Sequence, residues 1–421
     1  MMTTLNRTQA PPFQLSSDFT LPEPEVTYLK SGAPLLAFRG LPQEVVRFEL
    51  ILTGGKWDET VSGASHFTSQ LLPKGTRRKD AFQVAESFER LGAHCEVIPG
   101  MDFVTVTLYS LNKTFAEACK LLHELLHEPA FNEGELSLLK DIYLQNLRVN
   151  NEKSSFVASK EFRSAIFGSH HPYGSSIEEI QVAGINSTII QEHYRNRFKI
   201  HAATLVGPLS DAAVSELIEG LPVWKIPSES DRSHTITGRG SIRISMPSSI
   251  QSSIRIGKRS VTRTASIEYY EAVLANHILG GFFGSRLMKN IREKKGLTYG
   301  IYSSMMHLQH DSFWGIGAEV NQENTPLVLE EIRKEVQDLI NRPVPLSELN
   351  AARNYYAGSW QSENSTLFAV ADKVKSLYLA GLPQDFYQSL LTCIMEAGPG
   401  VIQQAAERTF TGQDLVEVIA G

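Results

Sequence analysis

A predicted helix carries one histidine at a place where two histidines and a glutamate, at the right spacing, could bind a zinc ion and use it for catalysis. Such a helix needs imidazoles at positions i and i+4, and a carboxylate at i+3 that takes a proton from zinc-bound water. Here His66 is followed by Ser69 and Gln70 at those two positions. One imidazole cannot hold zinc against water, so we expect this site to be empty. The segment reads Gly63-Ala64-Ser65-His66-Phe67-Thr68-Ser69-Gln70-Leu71-Leu72-Pro73-Lys74-Gly75-Thr76.

An arginine and a tyrosine in the second half of the chain could stabilise a negatively charged oxygen. The guanidinium of Arg292 stays charged at any working pH, and the phenol of Tyr299 donates one directed hydrogen bond. Gly296 is predicted to end the helix that carries Arg292, and Tyr299 to begin a strand. The alternative is that Arg292 makes a surface ion pair and Tyr299 only fills a strand position.

His123, Glu124 and His127 spell the His-Glu-x-x-His signature of ordinary zinc peptidases. Their segment is predicted to be a helix, because apolar residues recur at the spacing of one buried face and leave these three on the wetter side. Pro129 ends that helix, and no third histidine or glutamate follows at a usual distance. An independent zinc peptidase that uses this motif remains an alternative hypothesis.

The chain contains an internal repeat, which predicts a duplicated domain. Residues 115–143 align with residues 329–356, and Tyr143 aligns with Tyr356. In this alignment the His-Glu-x-x-His residues correspond to ordinary polar residues, Gln337, Asp338 and Asn341.

Strand-like alternation precedes helical periodicity in each half, as in the run Val46, Phe48, Leu50 and Leu52. This order predicts an α+β fold with two homologous halves, each a mixed or antiparallel β-sheet with helices packed on one face. We predict an N-terminal domain over residues 1–220, a linker over 221–240 and a C-terminal domain over 241–421. The linker is indicated by lapsed apolar periodicity and accumulated turn formers.

These motifs resemble the insulinase/pitrilysin family of zinc peptidases, whose inverted signature is His-x-x-Glu-His followed by Lys-Gly-Thr. The chain keeps His66 and the later Lys-Gly-Thr. The resemblance implies that the third zinc ligand corresponds to Asn146, so the zinc site is degenerate at Ser69, Gln70 and Asn146. It also implies a clam-like arrangement, in which Arg292 and Tyr299 reach across a closed chamber to the substrate carbonyl.

An intact arginine and tyrosine beside lost zinc ligands imply, through this resemblance, a zinc-free subunit of a two-chain metallopeptidase of the processing-peptidase type. The chain would be inactive alone and hold no cofactor, while a homologous partner carries zinc and peptides are the substrates. The alternative is a scaffold or binding homologue with no peptidase role. A homodimer is possible when the chain is isolated, because a rim that meets a homologue can also meet itself.

Composition narrows the functional classes further. With 421 residues, 42% hydrophobic and 20% charged, the chain is long enough for two domains with cores. A net charge of −6 and no basic stripe give no reason to expect nucleic acid. No apolar run is long enough for a membrane span. The N-terminus lacks an apolar signal region and the three cysteines form no Cys-x-x-Cys pattern, so we expect a cytoplasmic protein.

Overall fold

The computed structural model describes residues 8, 19–39, 44–224, 234–238 and 240–421, and every structural statement below concerns these residues. They form two β-sheets with surrounding helices, which confirms the predicted α+β class. Half of the predicted linker, residues 225–233 and 239, lies outside the described residues. The predicted division at residues 220 and 241 falls between the two sheets and stays a prediction.

The first half builds a six-stranded sheet in the order β1-β2-β6-β3-β5-β4, with β2 and β6 parallel and the other neighbours antiparallel. Its strands are β1 (Glu25–Tyr28), β2 (Pro34–Phe38), β3 (Val45–Leu52), β4 (His94–Pro99), β5 (Val104–Leu111) and β6 (Ile200–Val206). Its helices are α1 (Ala64–Leu71), α2 (Ala81–Arg90), α3 (Phe115–His127), α4 (Glu133–Asn151), α5 (Ser154–Phe167), α6 (Glu179–Gly184), α7 (Ser187–Arg197) and α8 (Asp211–Gly220).

The second half builds a five-stranded sheet in the order β7-β11-β8-β10-β9. This order repeats the order β2-β6-β3-β5-β4 of the first sheet, strand for strand. Its strands are β7 (Ile242–Ile244), β8 (Gln251–Arg259), β9 (Thr298–His307), β10 (Ser312–Asn321) and β11 (Val416–Ala420). Its α-helices are α9 (Ile267–Asn276), α10 (Thr325–Asn341), α11 (Leu346–Glu363), α12 (Leu367–Leu379), α13 (Phe386–Glu396) and α14 (Pro399–Phe410), with π-helical segments at His277–Gly281 and Met288–Lys294.

Strand alternation sends two kinds of side chain to the two faces of each sheet. On β3, Phe48 and Leu50 enter the core of the first half, whereas Arg47 and Glu49 point to the opposite face. On β8, Ile254 and its apolar neighbours enter the second core, and the intervening residues face away. Each sheet therefore has a second face that its own core does not cover.

A helix from the other half covers each of these second faces. Helix α5 of the first half packs on β8 and β11 of the second sheet, and α12 of the second half packs on β2 and β6 of the first. At the first of these contacts, the ring of Phe162 lies so near the strand that a Cβ at Gly257 would be 2.7 Å from its Cζ. The halves thus exchange one helix each, which the sequence did not predict.

Buried charges hold α12 against the first sheet. Arg47 is only 5% exposed and donates two hydrogen bonds to the carboxylate of Asp372, at 2.8 and 3.1 Å. Glu49 is 6% exposed, and its Oε2 accepts two hydrogen bonds. One comes from Lys375 Nζ and one from Thr204 Oγ1, both at 2.9 Å. These pairs compensate charges that would otherwise be costly to bury.

A second junction between the halves is aromatic. The Tyr173 hydroxyl donates to Asp102 and accepts the His310 amide at 3.2 Å, while Asp102 also accepts the Gln309 amide at 2.9 Å. Trp57 stacks on the His310 ring with centroids 4.0 Å apart. The loop between β9 and β10 is therefore fixed to the first half.

We predict that Arg47→Ala lowers the free energy of unfolding by about 2–4 kcal/mol, because it removes the buried guanidinium that pairs with Asp372 across the halves and leaves Lys375 as the partner of both carboxylates. The matched control is Arg90→Ala, whose side chain is 74% exposed in an i,i+4 pair with Glu86 and which should change stability by less than about 0.5 kcal/mol. Urea unfolding followed by circular dichroism measures both. Equal effects of the two variants would contradict the role given to the buried pair.

Candidate functional site

Helix α1, which carries the degenerate zinc motif, begins at a carboxylate. Oε1 of Glu59 accepts hydrogen bonds from the amides of Gly63 (3.1 Å) and Ser65 (2.9 Å). Gly63 has a left-handed backbone, φ +93°, which favours glycine at this start. Burial raises the pKa of Glu59 to about 7, although the backbone hydrogen bonds act in the opposite direction. Glu59 thus satisfies amides that open the helix.

The side chains at the motif positions do not suit zinc. His66 packs its ring edge-on against Tyr143 of α4, with centroids 5.0 Å apart, and burial lowers its pKa. Ser69 is fully buried, Gln70 is half-buried, and Asn146 is exposed on α4.

Helices α1 and α4 are therefore neighbours, as a shared metal site requires, but their donors are one imidazole, one hydroxyl and two amides. Zinc is held by thiolates, imidazoles and carboxylates, so this set does not fit the ion. Within the described ranges no group of three or more His, Cys, Asp or Glu side chains could hold a metal.

Glu124 of the His-Glu-x-x-His sequence fixes a neighbouring turn. Its carboxylate accepts a hydrogen bond from Thr76 Oγ1 at 2.6 Å and pairs with Lys79 Nζ at 2.5 Å. Thr76 Oγ1 in turn accepts the amides of Arg78 and Lys79. Although burial acts to raise it, the pKa of Glu124 lies below its usual value because of Lys79 and Thr76. The carboxylate is thus committed to the Lys-Gly-Thr turn.

The two histidines of that sequence pack elsewhere, against α8. His127 Nε2 lies 3.0 Å from the Gly220 carbonyl oxygen, and a Cβ at Gly220 would lie 2.0 Å from Nδ1 of His123. Burial lowers the pKa of His123, with the neighbouring His127 adding to the shift. The two imidazoles contact α8, whereas the Glu124 carboxylate contacts the Lys-Gly-Thr turn. All three side chains therefore make structural contacts, and these contacts are with different elements.

The Arg292 guanidinium is held in place without a carboxylate. It lies 4.7 Å from the ring centroid of Phe283, and no described acidic residue forms an ion pair with it. Its neighbours differ, because Arg286 pairs with Glu348 at 2.9 Å and Lys295 with Glu331 at 2.5 Å. The surface ion pair considered for Arg292 is therefore not formed among the described residues.

The predicted end of the Arg292 helix is confirmed. Gly296 has φ +63°, its amide donates to the Arg292 carbonyl at 3.1 Å, and the Leu297 amide donates to the Ile291 carbonyl at 3.0 Å. Such a left-handed glycine with backward hydrogen bonds commonly ends a helix.

Tyr299 lies at the predicted start of a strand and is 94% exposed. Strand β9 is at the edge of the second sheet, and its pairing with β10 shifts register here, because Thr298 pairs with Val320 and Ile301 with Ala318. Two residues of β9 thus face one of β10, which is a bulge that redirects a side chain. The Tyr299 hydroxyl has no hydrogen-bond partner in the described part of the chain. No sequence pattern predicts either the bulge at Tyr299 or the contact between Arg292 and Phe283.

We predict that Glu124→Gln lowers the free energy of unfolding by about 1–2 kcal/mol, because the charge-assisted bonds to Thr76 and Lys79 are lost. Glu117→Gln is the matched control on the exposed side of α3 and should change stability by only a few tenths of a kcal/mol. Chemical denaturation measures both, and a neutral effect of Glu124→Gln would refute the role in the turn.

Comparison with known proteins gives family matches in both halves. The family model described as insulinase (peptidase family M16) matches residues 40–179, and the one described as peptidase M16 inactive domain matches residues 201–356. Among curated proteins, the chain is 23% identical over 379 residues to "Non-peptidase homolog YmxG" of Helicobacter pylori, covering 87% of this chain and 84% of that protein. It is 20% identical over 302 residues to "Uncharacterized zinc protease YmxG" of Bacillus subtilis, covering 71% and 74%.

Solved structures agree on the fold. A peptidase M16 inactive domain from Pseudomonas fluorescens superposes with a TM-score of 0.84 at 24% identity, over 94% of this chain and 98% of that one. A protease from Helicobacter pylori superposes with a TM-score of 0.83 at 15% identity, over 95% and 99%. The degenerate zinc motif, the duplicated sheet and these matches lead to one conclusion: the chain belongs to peptidase family M16, the insulinase family, as an inactive-type homologue.

Proposed function

We propose that this chain is the zinc-free subunit of a two-chain M16 metallopeptidase and contributes Arg292 and Tyr299 to the active site of a zinc-bearing homologue. The observation that carries the proposal is that both polar groups lack a charged or hydrogen-bonding partner among the described residues, while the nearby Arg286 and Lys295 are paired. A purely structural arginine and tyrosine would be expected to use these groups within the chain.

The two side chains suit oxyanion stabilisation. As the scissile carbonyl of a peptide accepts a nucleophile, negative charge develops on its oxygen, and donors aimed at that oxygen lower the barrier. The Arg292 guanidinium supplies charge and the Tyr299 phenol supplies one directed donor. The Phe283 ring and the strand bulge at Tyr299 position the two groups from this chain. Zinc in the partner would supply the Lewis acid and activate the water.

The second candidate function is a scaffold or binding homologue with no peptidase role. The relative from Helicobacter pylori is named a non-peptidase homolog, which agrees with either candidate. The presence of both Arg292 and Tyr299 favours the complementing subunit, because a pure scaffold has no need of that pair. The independent zinc peptidase is disfavoured by the structural contacts of His123, Glu124 and His127. That alternative would be restored by a metal analysis that finds one bound zinc per chain in wild type and none in His123→Ala.

The candidates are separated by hydrolysis of a mixed quenched-peptide library. The assay compares this chain alone, its zinc-motif homologue from the same cell alone, and the two mixed. We expect activity to appear or rise sharply only on mixing, with peptides as substrates of the heterodimer. Unchanged hydrolysis on mixing would favour the scaffold.

We predict that Arg292→Ala and Tyr299→Phe each lower turnover of the mixed complex by about one to three orders of magnitude, because an oxyanion donor is lost. Folding and partner binding should not change, since neither polar group is used within the chain. Turnover, circular dichroism and gel filtration of the complex measure the three properties.

Two variants serve as controls for these substitutions. Tyr302→Phe changes another exposed tyrosine of β9, and Arg342→Ala changes an arginine whose side chain is 76% exposed. Both should leave turnover within about twofold of wild type. Unchanged turnover in both Arg292→Ala and Tyr299→Phe would remove these residues from the mechanism.

No helix in the described ranges is long and apolar enough to cross a membrane. The cytoplasmic location and the possible homodimer of the isolated chain stay predictions.

A further inference from the structure

The second half contains a cavity of about 420 Å³ among α9, α11, α12, α13 and β9. This volume is within the range of small-ligand pockets. Its walls are largely aromatic and include Tyr269, Tyr355, Tyr356, Trp360, Phe386 and Tyr387. None of the residues assigned above to peptide cleavage lines it.

The cavity lies at the place in the second half that corresponds to the degenerate zinc site in the first. The repeat aligns Tyr143 with Tyr356, so Asn146 corresponds to Ser359, which lines the cavity. The ring contact between His66 and Tyr143, at 5.0 Å, has its counterpart in a contact between His277 and Tyr356, at 5.4 Å. The cavity thus lies in the duplicated counterpart of the motif region and has a different set of side chains.

Positive charge exceeds negative charge around this cavity. Arg263 donates a hydrogen bond to Ser376 Oγ at 2.8 Å and lies beside the Tyr387 hydroxyl. Both partners are neutral, and no acidic side chain of the described residues pairs with it. Lys373 Nζ lies 4.9 Å from the Trp360 ring centroid. The carboxylate of Glu363 is 3.8 Å from that ammonium and 64% exposed, so it screens only part of the charge.

One nitrogen of a buried imidazole in the wall lacks a hydrogen-bond partner. His277 is 7% exposed, its ring stacks on Phe282 with centroids 4.5 Å apart, and its Nε2 has no hydrogen-bond partner among the described residues. Burial lowers the pKa of His277 to about 4, with the Ala352 backbone opposing the shift, so the ring is neutral near pH 7. The neutral His277 ring therefore adds no positive charge to that of Arg263 and Lys373.

We infer that this cavity binds a small ligand with an aromatic ring and one carboxylate, the chemistry of an aromatic residue with a free α-carboxyl group. The ring stacks among Trp360, Tyr387 and the tyrosines of the wall, and the carboxylate pairs with Arg263 and Lys373. Such a ligand comes either as a small molecule or as the C-terminal residue of a peptide.

Isothermal titration of the full chain tests the inference with four probes. N-acetyl-L-phenylalanine and its neutral amide differ only in the carboxylate, and a hexapeptide ending in phenylalanine is compared with its C-terminal amide. We expect the free acid to bind at least about tenfold more tightly than the amide in the small pair, because a charge-assisted hydrogen bond is lost. The same preference for the free acid in the peptide pair would identify peptide C-termini as ligands. No such preference in the peptide pair would restrict the site to small molecules.

Three variants make the test specific. Arg263→Gln should abolish the difference between acid and amide, and Ser359→Phe should fill the cavity and abolish binding of both. Lys289→Gln, an exposed lysine of the same half outside the cavity, should bind as wild type does. Thermal unfolding of each variant reports folding, and Ser359→Phe keeps the test available if Arg263→Gln is unstable.

The inference is overturned if acid and amide bind folded wild type equally, or if neither binds at millimolar concentration. Binding that survives in Ser359→Phe would also overturn it, because the ligand would then lie elsewhere. Since the site shares no residue with Arg292 and Tyr299, none of these outcomes bears on the proposed peptidase role.

Discussion

The structure depends on one constraint: each sheet has two faces to bury, and the helices of its own half cover only one. On the first sheet, Arg47 and Glu49 point away from the local core and are compensated by Asp372 and Lys375 of α12. On the second, Phe162 of α5 packs against glycine-bearing strands. Because charges buried without partners would be costly, the far helix is part of each half's stability. Each half therefore depends on the other to cover one face of its sheet.

The first half keeps the architecture of a peptidase after losing its ligands. Glu59 satisfies the amides at the start of α1, and Glu124 holds the Lys-Gly-Thr turn through Thr76. Neither carboxylate needs a metal for its role. The helix pair α1 and α4 therefore survives with neutral side chains between its members, because its packing, and not zinc coordination, holds it together. The loss of zinc ligands and a retained fold are compatible for this physical reason.

Local features of the fold could be predicted from the sequence, and long-range ones could not. Strand β3, helix α3 and the helix end at Gly296 follow from periodicity and glycine chemistry within a few residues. The exchange of α5 and α12 depends on contacts between residues far apart in the chain, such as Arg47 and Asp372, which are 325 positions apart. The bulge at Tyr299 depends on pairing with β10. The candidate site follows the same rule. The sequence motif points to Arg292 and Tyr299, but only the structure shows that their polar groups have no charged or hydrogen-bonding partner among the described residues.

The exchange of helices also bears on how the chain is made. Synthesis runs from the N-terminus, so the first sheet has all six of its strands once β6 has emerged. Its second face, with Arg47 and Glu49, must then wait in water for α12, which begins some 160 residues later at Leu367. At about 5–20 residues per second, this interval lasts on the order of ten to thirty seconds. During that time Arg47 and Glu49 interrupt the apolar surface that Leu36, Phe38 and Val206 give the same face. Charges placed among apolar strand residues oppose the aggregation of an unfinished sheet.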